Sequence, residues 1–221
     1  MSQIFDLSTD YTVEALAEAT SAVATAVANG ELAVIPTDTS YAIICDAFNS
    51  AAVLRLRAAK NQPEDAPIPV GAGNLATVDG IATFTELARD LVLAFWPGAL
   101  TLLTRNQPSV ELAVKPSDSA LAIRIPKNDI AISVLNAIGP TAMTGAQKSG
   151  QAPLTNLSQA RELHGDSVTI YVDAGPLSGA VSSVVSAIGD SLRLVRLGNV
   201  SLIDLRAVVP AVVDATNNGN F

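Results

Sequence analysis

Cysteine and histidine are each present once in this 221-residue chain. A single cysteine, Cys45, gives an intramolecular disulfide nothing to join, and in the apolar run Ile43-Ile44-Cys45 it reads as a buried, inert thiol. One Cys and one His also fall short of a zinc site, which draws several such ligands at set spacing. His164, at an expected helix end in Leu163-His164-Gly165, therefore reads as a structural or a surface residue. No G-x-S-x-G elbow is present to build a serine nucleophile, and no G-x-x-x-x-G-K-[ST] loop to cradle phosphates. Uninterrupted apolar stretches stay below the roughly 18 residues a membrane span needs. The first twenty residues carry Asp6, Asp10, Glu14 and Glu18 with no Lys or Arg, so neither a span nor a signal peptide is expected. A reducing cytoplasm and no membrane partner are the expectation.

Charge is sparse too, at 15% of residues, and it leans acidic, with a net charge of −8. Such a chain repels nucleic-acid phosphates unless its cations gather on one face, so direct DNA binding is not expected. Arg55, Arg57 and Lys60 are the nearest thing to a cluster among thirteen scattered cations, which suits a small anion better than a duplex. Hydrophobic residues reach 49%, which excludes disorder, and a chain of this length can bury about 70–75% of its unfolded surface in one core.

The periodicities interleave helices with strands. Val13, Leu16, Ala17, Val23, Ala24 and Val27 predict an amphipathic helix over 12–28, stopped at Asn29-Gly30. Leu32 to Ile35 and Tyr41 to Ile44 predict two buried strands around the polar link Thr37-Asp38-Thr39-Ser40. A helix over 50–60 leaves Lys60 at its end, facing the Pro63 to Pro69 loop. Thr83 to Glu86 reads as a capping box opening a helix that ends at Trp96-Pro97-Gly98, with a strand from Leu100 to Thr104 behind it. Alternation in Ala120 to Ile125 puts Arg124 on a face otherwise lined by Ala120 and Ala122, which leaves room for a ligand. A helix over 130–138 precedes a short strand running into the polar loop before Gly150. Val168 to Val172, Val181 to Val185 and Leu192 to Arg196 read as late strands. Ser201 to Asp204 reads as a second capping box, and Thr216 to Asn220 as a frayed tail. The class is α/β, with helices packed on a twisted, mixed, open sheet in a single domain.

The polar residues left over form a distributed set: Thr37-Asp38-Thr39, Lys60, Thr101, Arg124, Thr144, Gln147-Lys148-Ser149-Gly150, Ser182-Ser183 and Arg196. Donors drawn from many segments suit a triphosphate, whose charge is spread over many oxygens, and chemistry by positioning and charge stabilisation.

Five of these segments, in order, resemble motifs of the YrdC-like threonylcarbamoyl-adenylate synthases: Pro36-Thr37-Asp38-Thr39-Ser40-Tyr41, Phe95 to Thr101, Arg124-Ile125-Pro126, Ser182 to Val185 and Arg196-Leu197-Gly198. The resemblance implies a YrdC-like domain over 1–208 with a large concave cavity, followed by a tail over 209–221; the chain is too short for the extra C-terminal domain of some members. It implies a nucleotidyltransferase that joins ATP, L-threonine and bicarbonate into threonylcarbamoyl-AMP with release of pyrophosphate, serving the tRNA modification machinery indirectly. By the same carry-over Thr37, Tyr41, Ser182 and Ser183 bind the amino-acid substrate, and Lys60, Arg124, Gln147, Ser149 and Arg196 hold ATP. Mg²⁺ is expected to arrive on the nucleotide, and no protein-bound metal or assigned catalytic residue is implied.

Departures from the family pattern fall inside the motifs. Lys60-Asn61-Gln62 stands where the family has K-x-R, Gly145-Ala146-Gln147 where it has S-x-N, Ala42 where a glycine follows the tyrosine, and Ser186 replaces an acid. They leave a second reading open, a catalytically weakened paralogue that binds a nucleotide as a sensor or interaction module.

Overall fold

The computed structural model describes residues 2–63, 66–114 and 120–217. In chain order the elements are β1 (Gln3–Asp6), α1 (Val13–Ala28), β2 (Ala33–Pro36), β3 (Tyr41–Asp46), α2 (Ser50–Lys60), β4 (Val70–Gly71), α3 (Leu75–Ile81), β5 (Ala82–Thr83), α4 (Glu86–Phe95) and β6 (Leu100–Asn106). The second half runs β7 (Ala120–Arg124), α5 (Asp129–Ile138), β8 (Thr141–Gly145), α6 (Leu157–His164), β9 (Ile170–Asp173), β10 (Ser183–Ser186), β11 (Arg193–Arg196), α7 (Leu202–Val208) and β12 (Val213–Asp214).

All the described strands join one mixed sheet, ordered β1-β9-β2-β3-β8-β4-β7-β6-β10-β11-β12, with β5 on β6. Pairing is antiparallel where a strand doubles back on its neighbour, as β2 with β3 and β6 with β7. β2 with β9 and β4 with β7, whose connections contain helices, are parallel, while β8 runs antiparallel to both β3 and β4. The apolar runs in β2 and β3 are continuous because both faces of these strands are covered. Val34, Ile43 and Cys45 look into one core, and Ala33, Ile35 and Ile44 into the other. On the second face α1 packs with α5, presenting Ala19, Val23 and Val27 beside Ile130, Val134 and Leu135. Thr12 caps α1 by accepting from the Ala15 N–H at 3.2 Å, and Asn29 ends it.

Among the boundaries that differ from the periodicity, three have a clear physical reason. Thr83 opens no helix: it is held in β5 opposite Arg105, and Thr85 is the cap, accepting from the Ala88 N–H at 3.2 Å. Ladder pairing keeps the Thr83 backbone extended and moves the helix start two residues on. The strand expected from Val181 begins at Ser183, because the Val181 and Ser182 carbonyls are turned to Asn199 and Arg196. In the segment read as a tail, Val213 and Asp214 pair with β11 while Val212 and Ala215 are buried, so the sheet continues past residue 208. Thr216 and Asn217 form a turn, and the rest of the expected frayed end lies outside the described residues. Ser201 and Asp204 do make the reciprocal capping box, opening α7.

Candidate active site

Beyond α1 and α5 the same sheet face opens into a cavity, and several of the residues projecting from it there are small. Ala122 lies opposite Leu103, Leu103 opposite Ser186, and Thr101 opposite Val184. With Ala42, Ala120 and Met143 these form the floor of a cavity of about 1130 Å³, and Thr37, Thr39, Ser40, Thr144, Gln147, Ser182, Arg124 and Arg196 supply its polar wall. No carboxylate belongs to that lining among the described residues. A separate hollow beside Phe48 and Val110 contains none of the expected site residues.

Arg124 is positioned by three hydrogen bonds to two segments at once. Its Nε donates to the Gly98 carbonyl at 2.9 Å, Nη1 to Thr39 Oγ1 at 3.3 Å, and Nη2 to an Asp38 carboxylate oxygen at 2.6 Å. The Trp96-Pro97-Gly98 turn is itself held, by Gly98 N–H on the Ile125 carbonyl at 2.8 Å and the Trp96 indole N–H on the Leu100 carbonyl at 2.7 Å. Burial pulls the Arg124 pKa down, Asp38 opposes that pull, and the charge of Arg196 adds to it; the guanidinium stays charged throughout. Arg196 is fixed to Ser182, donating from Nε and Nη2 to its carbonyl at 3.1 and 2.9 Å and from Nη2 to its hydroxyl at 3.0 Å. Ser182 Oγ in turn lies 2.8 Å from Thr101 Oγ1. A guanidinium carries five N–H donors. Arg124 therefore keeps one N–H on each Nη, and Arg196 keeps both on Nη1, for whatever enters between them.

The Thr37-to-Ser40 turn is closed by Thr37 Oγ1, which donates to the Ser40 carbonyl at 2.7 Å and accepts from the Thr39 and Ser40 N–H groups at 3.2 Å. Asp38 also accepts from the Lys127 N–H at 3.1 Å, so its carboxylate ties the turn to the residues after β7.

Of the residues expected at the site, Thr37, Arg124, Gln147, Ser182 and Arg196 line the cavity. Four others do not. Tyr41 is fully buried, with its phenol 2.8 Å from an Asp173 oxygen and 2.7 Å from the Gly175 carbonyl and accepting from the Ala174 N–H at 3.0 Å; burial pushes its pKa well up. Strand alternation explains this, since β3 sends Tyr41 to one face and Ala42 to the cavity. Ser183 likewise alternates away from Ser182, donating to the Val200 carbonyl at 2.6 Å and accepting from the Gly198 and Val200 N–H groups. Ser149 is exposed and is not part of the cavity lining. Lys60 is 4% exposed and gives its ammonium to the Gly145 carbonyl and, at 2.9 Å, to the Gln147 carbonyl; burial brings its pKa down to about 8.

Two supporting residues escaped sequence reasoning. Arg57, 5% exposed, donates to the Pro63 and Ala66 carbonyls at 2.8 and 2.6 Å and to the Val114 carbonyl at 3.4 Å, tying two loops beside the cavity. His164, open between a structural and a surface role in the sequence, is buried and serves the site: Nε2 lies 2.6 Å from the Ala146 carbonyl and must donate. Its Nδ1 is buried without a partner among the described residues, so the ring is neutral, in keeping with the downward pull of burial on its pKa. Neither role carries a sequence motif: the acceptors are backbone carbonyls, 6, 9 and 57 residues from Arg57 and 18 residues from His164. Among the described residues no group of three or more His, Cys, Asp and Glu could hold a metal ion, and no helix is long and apolar enough to cross a membrane.

Fold and cavity together define a single α/β domain with a deep, hydroxyl-lined hollow carrying two fixed guanidiniums. The chain belongs to the Sua5/YciO/YrdC family, whose model, described as telomere recombination, matches residues 25–198. A Mycobacterium tuberculosis protein named "Putative threonylcarbamoyl-AMP synthase" is 39% identical over 178 residues, 80% of this chain and 82% of that protein. The threonylcarbamoyl-AMP synthase of Bacillus subtilis is 33% identical over 193 residues, covering 83% of this chain and 55% of its own length. In three dimensions the chain is similar to Pyrococcus abyssi Sua5 complexed with L-threonine, with a TM-score of 0.88, 24% identity, and coverage of 96% of this chain and 62% of that one. It is similar also to Escherichia coli YciO, with a TM-score of 0.81, 22% identity, and coverage of 90% and 96%. The chain thus spans about three fifths of the Pyrococcus protein and nearly all of YciO.

Proposed function

We propose that this protein is an L-threonylcarbamoyladenylate synthase, converting ATP, L-threonine and bicarbonate to threonylcarbamoyl-AMP, pyrophosphate and water for the modification of adenosine in tRNA. The observation that carries the reading is the pair Arg124 and Arg196: two fixed cations on one cavity, each with N–H donors to spare and no carboxylate in the described lining. Like charges converging on a hollow are stabilised by an anion between them, and a polyphosphate is such an anion. The relatives named for this activity support the same choice.

In this reading the guanidiniums orient the phosphates and offset the charge that gathers as the carbamate oxygen bonds the α-phosphorus and pyrophosphate leaves. The hydroxyls of Thr37, Thr39, Ser40 and Ser182 line the space for the amino acid. Magnesium, which would screen the leaving pyrophosphate, arrives on the triphosphate, since the described lining offers it no carboxylate. The setting is the cytoplasm, in keeping with the buried free thiol of Cys45. The test is pyrophosphate release on mixing the protein with ATP, bicarbonate and threonine, then with other amino acids. No release with any amino acid rejects the proposal.

One observation favours the weakened paralogue instead. The Lys60 ammonium is spent on backbone carbonyls and Gln62 brings no second cation, donating its amide to the Pro67 carbonyl at 3.3 Å. On that reading calorimetry detects ATP binding while pyrophosphate release stays at background.

A further inference from the structure

The peptides at the end of β8 and just after it form part of the cavity wall, through Thr144, Gly145 and Gln147. Three successive carbonyls in this wall, those of Gly145, Ala146 and Gln147, point away from the hollow, and each is met by a buried side chain. Lys60 takes the first and third, and His164 Nε2 takes the middle one at 2.6 Å. The Lys60 backbone carbonyl accepts the Ser149 N–H at 3.2 Å, and the Ala146 N–H is donated to the Tyr41 carbonyl at 2.9 Å. The loop is therefore fastened from behind along its length, by residues whose side chains do not reach the cavity surface. An orphaned buried carbonyl costs a good part of a hydrogen bond, so losing either partner leaves the wall free to move.

We infer that Lys60 is a positioning residue, not a phosphate ligand: together with His164 it holds the 145–147 carbonyls and so fixes the wall that presents Thr144 and Gln147 to the ligand. The idea rests on the proposed nucleotide site only for what the wall presents; the clamp itself is independent of it. Arg57, one turn earlier on α2, treats the Pro63, Ala66 and Val114 carbonyls in the same way. The C-terminal turn of α2 is thus a hub from which several borders of the hollow are hung.

The test compares the full-length protein with Lys60→Met, which keeps the buried stem and removes the ammonium, and with His164→Phe, which alters a side chain in contact with no ligand on either account. Hydrogen exchange is followed for the amides of residues 144–149, and calorimetry measures ATP and AMP. Expected in both variants is exchange at least about tenfold faster in that loop, with the β2–β3 pairing unchanged. Affinity for ATP and for AMP should fall by the same factor, to within about twofold. A ligand of the β- or γ-phosphate would behave otherwise, because AMP lacks both, and a ligand of the α-phosphate would weaken both nucleotides while leaving the loop exchange unchanged. Loss confined to ATP in Lys60→Met, or unchanged loop exchange in either variant, overturns the inference. If the unmodified protein binds neither nucleotide, the proposed function fails, and the exchange measurement alone decides the clamp. Should Lys60→Met not fold, His164→Phe decides the matter by the same two readings.

Discussion

The carboxamide of Gln147 lies across Gly145 so closely that a β-carbon at position 145 would sit 2.3 Å from Gln147 Oε1 and 2.9 Å from its Cδ and Nε2. Side chain 145 and this placement of side chain 147 exclude one another. The two departures from the family's S-x-N pattern are therefore one structural change, in which a longer amide occupies the room that a serine side chain would need. Gln147 Oε1 is buried there without a partner among the described residues.

Gly145→Ser alone should then be an overpacking substitution. The amide end is flexible and can swing toward the cavity, which holds the expected loss of stability to about 1–2 kcal/mol, at the lower end of such changes. Adding Gln147→Asn shortens the amide and removes the overlap, so the double variant should recover at least half of the loss. Urea unfolding of both variants reads the coupling. Additive losses would mean the two positions do not compete for the same space.

Gly198 has no such escape. A β-carbon there would meet the Val181 carbonyl oxygen at 2.4 Å and the Ser182 carbonyl carbon and oxygen at 2.5 and 2.6 Å, all of them backbone. Gly198→Ala must push apart the segments that hold Arg196 on Ser182. The expected cost is about 2–3 kcal/mol in stability, at the upper end for overpacking, together with nucleotide affinity lowered by roughly tenfold or more. Unfolding and calorimetry on one preparation check both, and wild-type values for either would show that the approach relaxes without harm.

Much of the site was legible where a side chain's direction follows from strand period. Alternation placed Ala120, Ala122 and Arg124 on one face, and that face is the cavity floor. The same rule, applied to β3 and β10, sends Tyr41 and Ser183 away from the cavity, which a motif read as a unit does not register. Lys60 stood at a helix end as expected, but the acceptors that fix its ammonium lie more than eighty residues along the chain. Asp38 and Arg124 are similarly remote, with a sequence separation of 86. Short elements escaped for a different reason: β1 is largely exposed and lacks an alternating pattern, and α3 spans only seven residues, one of them Gly80.

Arg124→Ala should leave the sheet intact, since the side chain borders the hollow and not the core, and should weaken ATP binding by about 1.5–3 kcal/mol. Arg124→Lys should recover little. One ammonium cannot reach the Gly98 carbonyl, Thr39 and Asp38 together while still facing a ligand, and it lacks the planar fork. Circular dichroism and calorimetry on both variants give the answer, and ATP affinity unchanged in Arg124→Ala would place the nucleotide elsewhere.

Lys60 also gives the protein a pH signature. Its ordinary pKa of 10.5 holds in the unfolded chain, while burial lowers the folded value to about 8. Between those values the unfolded state binds more protons, so this group's contribution to stability rises with pH through the window. Cys45 works in the opposite sense: its thiol is pushed by burial from 9.0 to about 12, so above pH 9 the unfolded state loses a proton that the folded state keeps. Tyr41 and Tyr171, both raised by burial, add to that opposing slope above pH 10. The clean interval is pH 8 to 9. There the unmodified protein should gain about 1 kcal/mol relative to Lys60→Met, a figure moderated by the two carbonyls that favour the charged ammonium. Urea midpoints at half-unit steps measure it, and parallel stability curves for the two proteins would mean that Lys60 keeps its ordinary pKa in the fold.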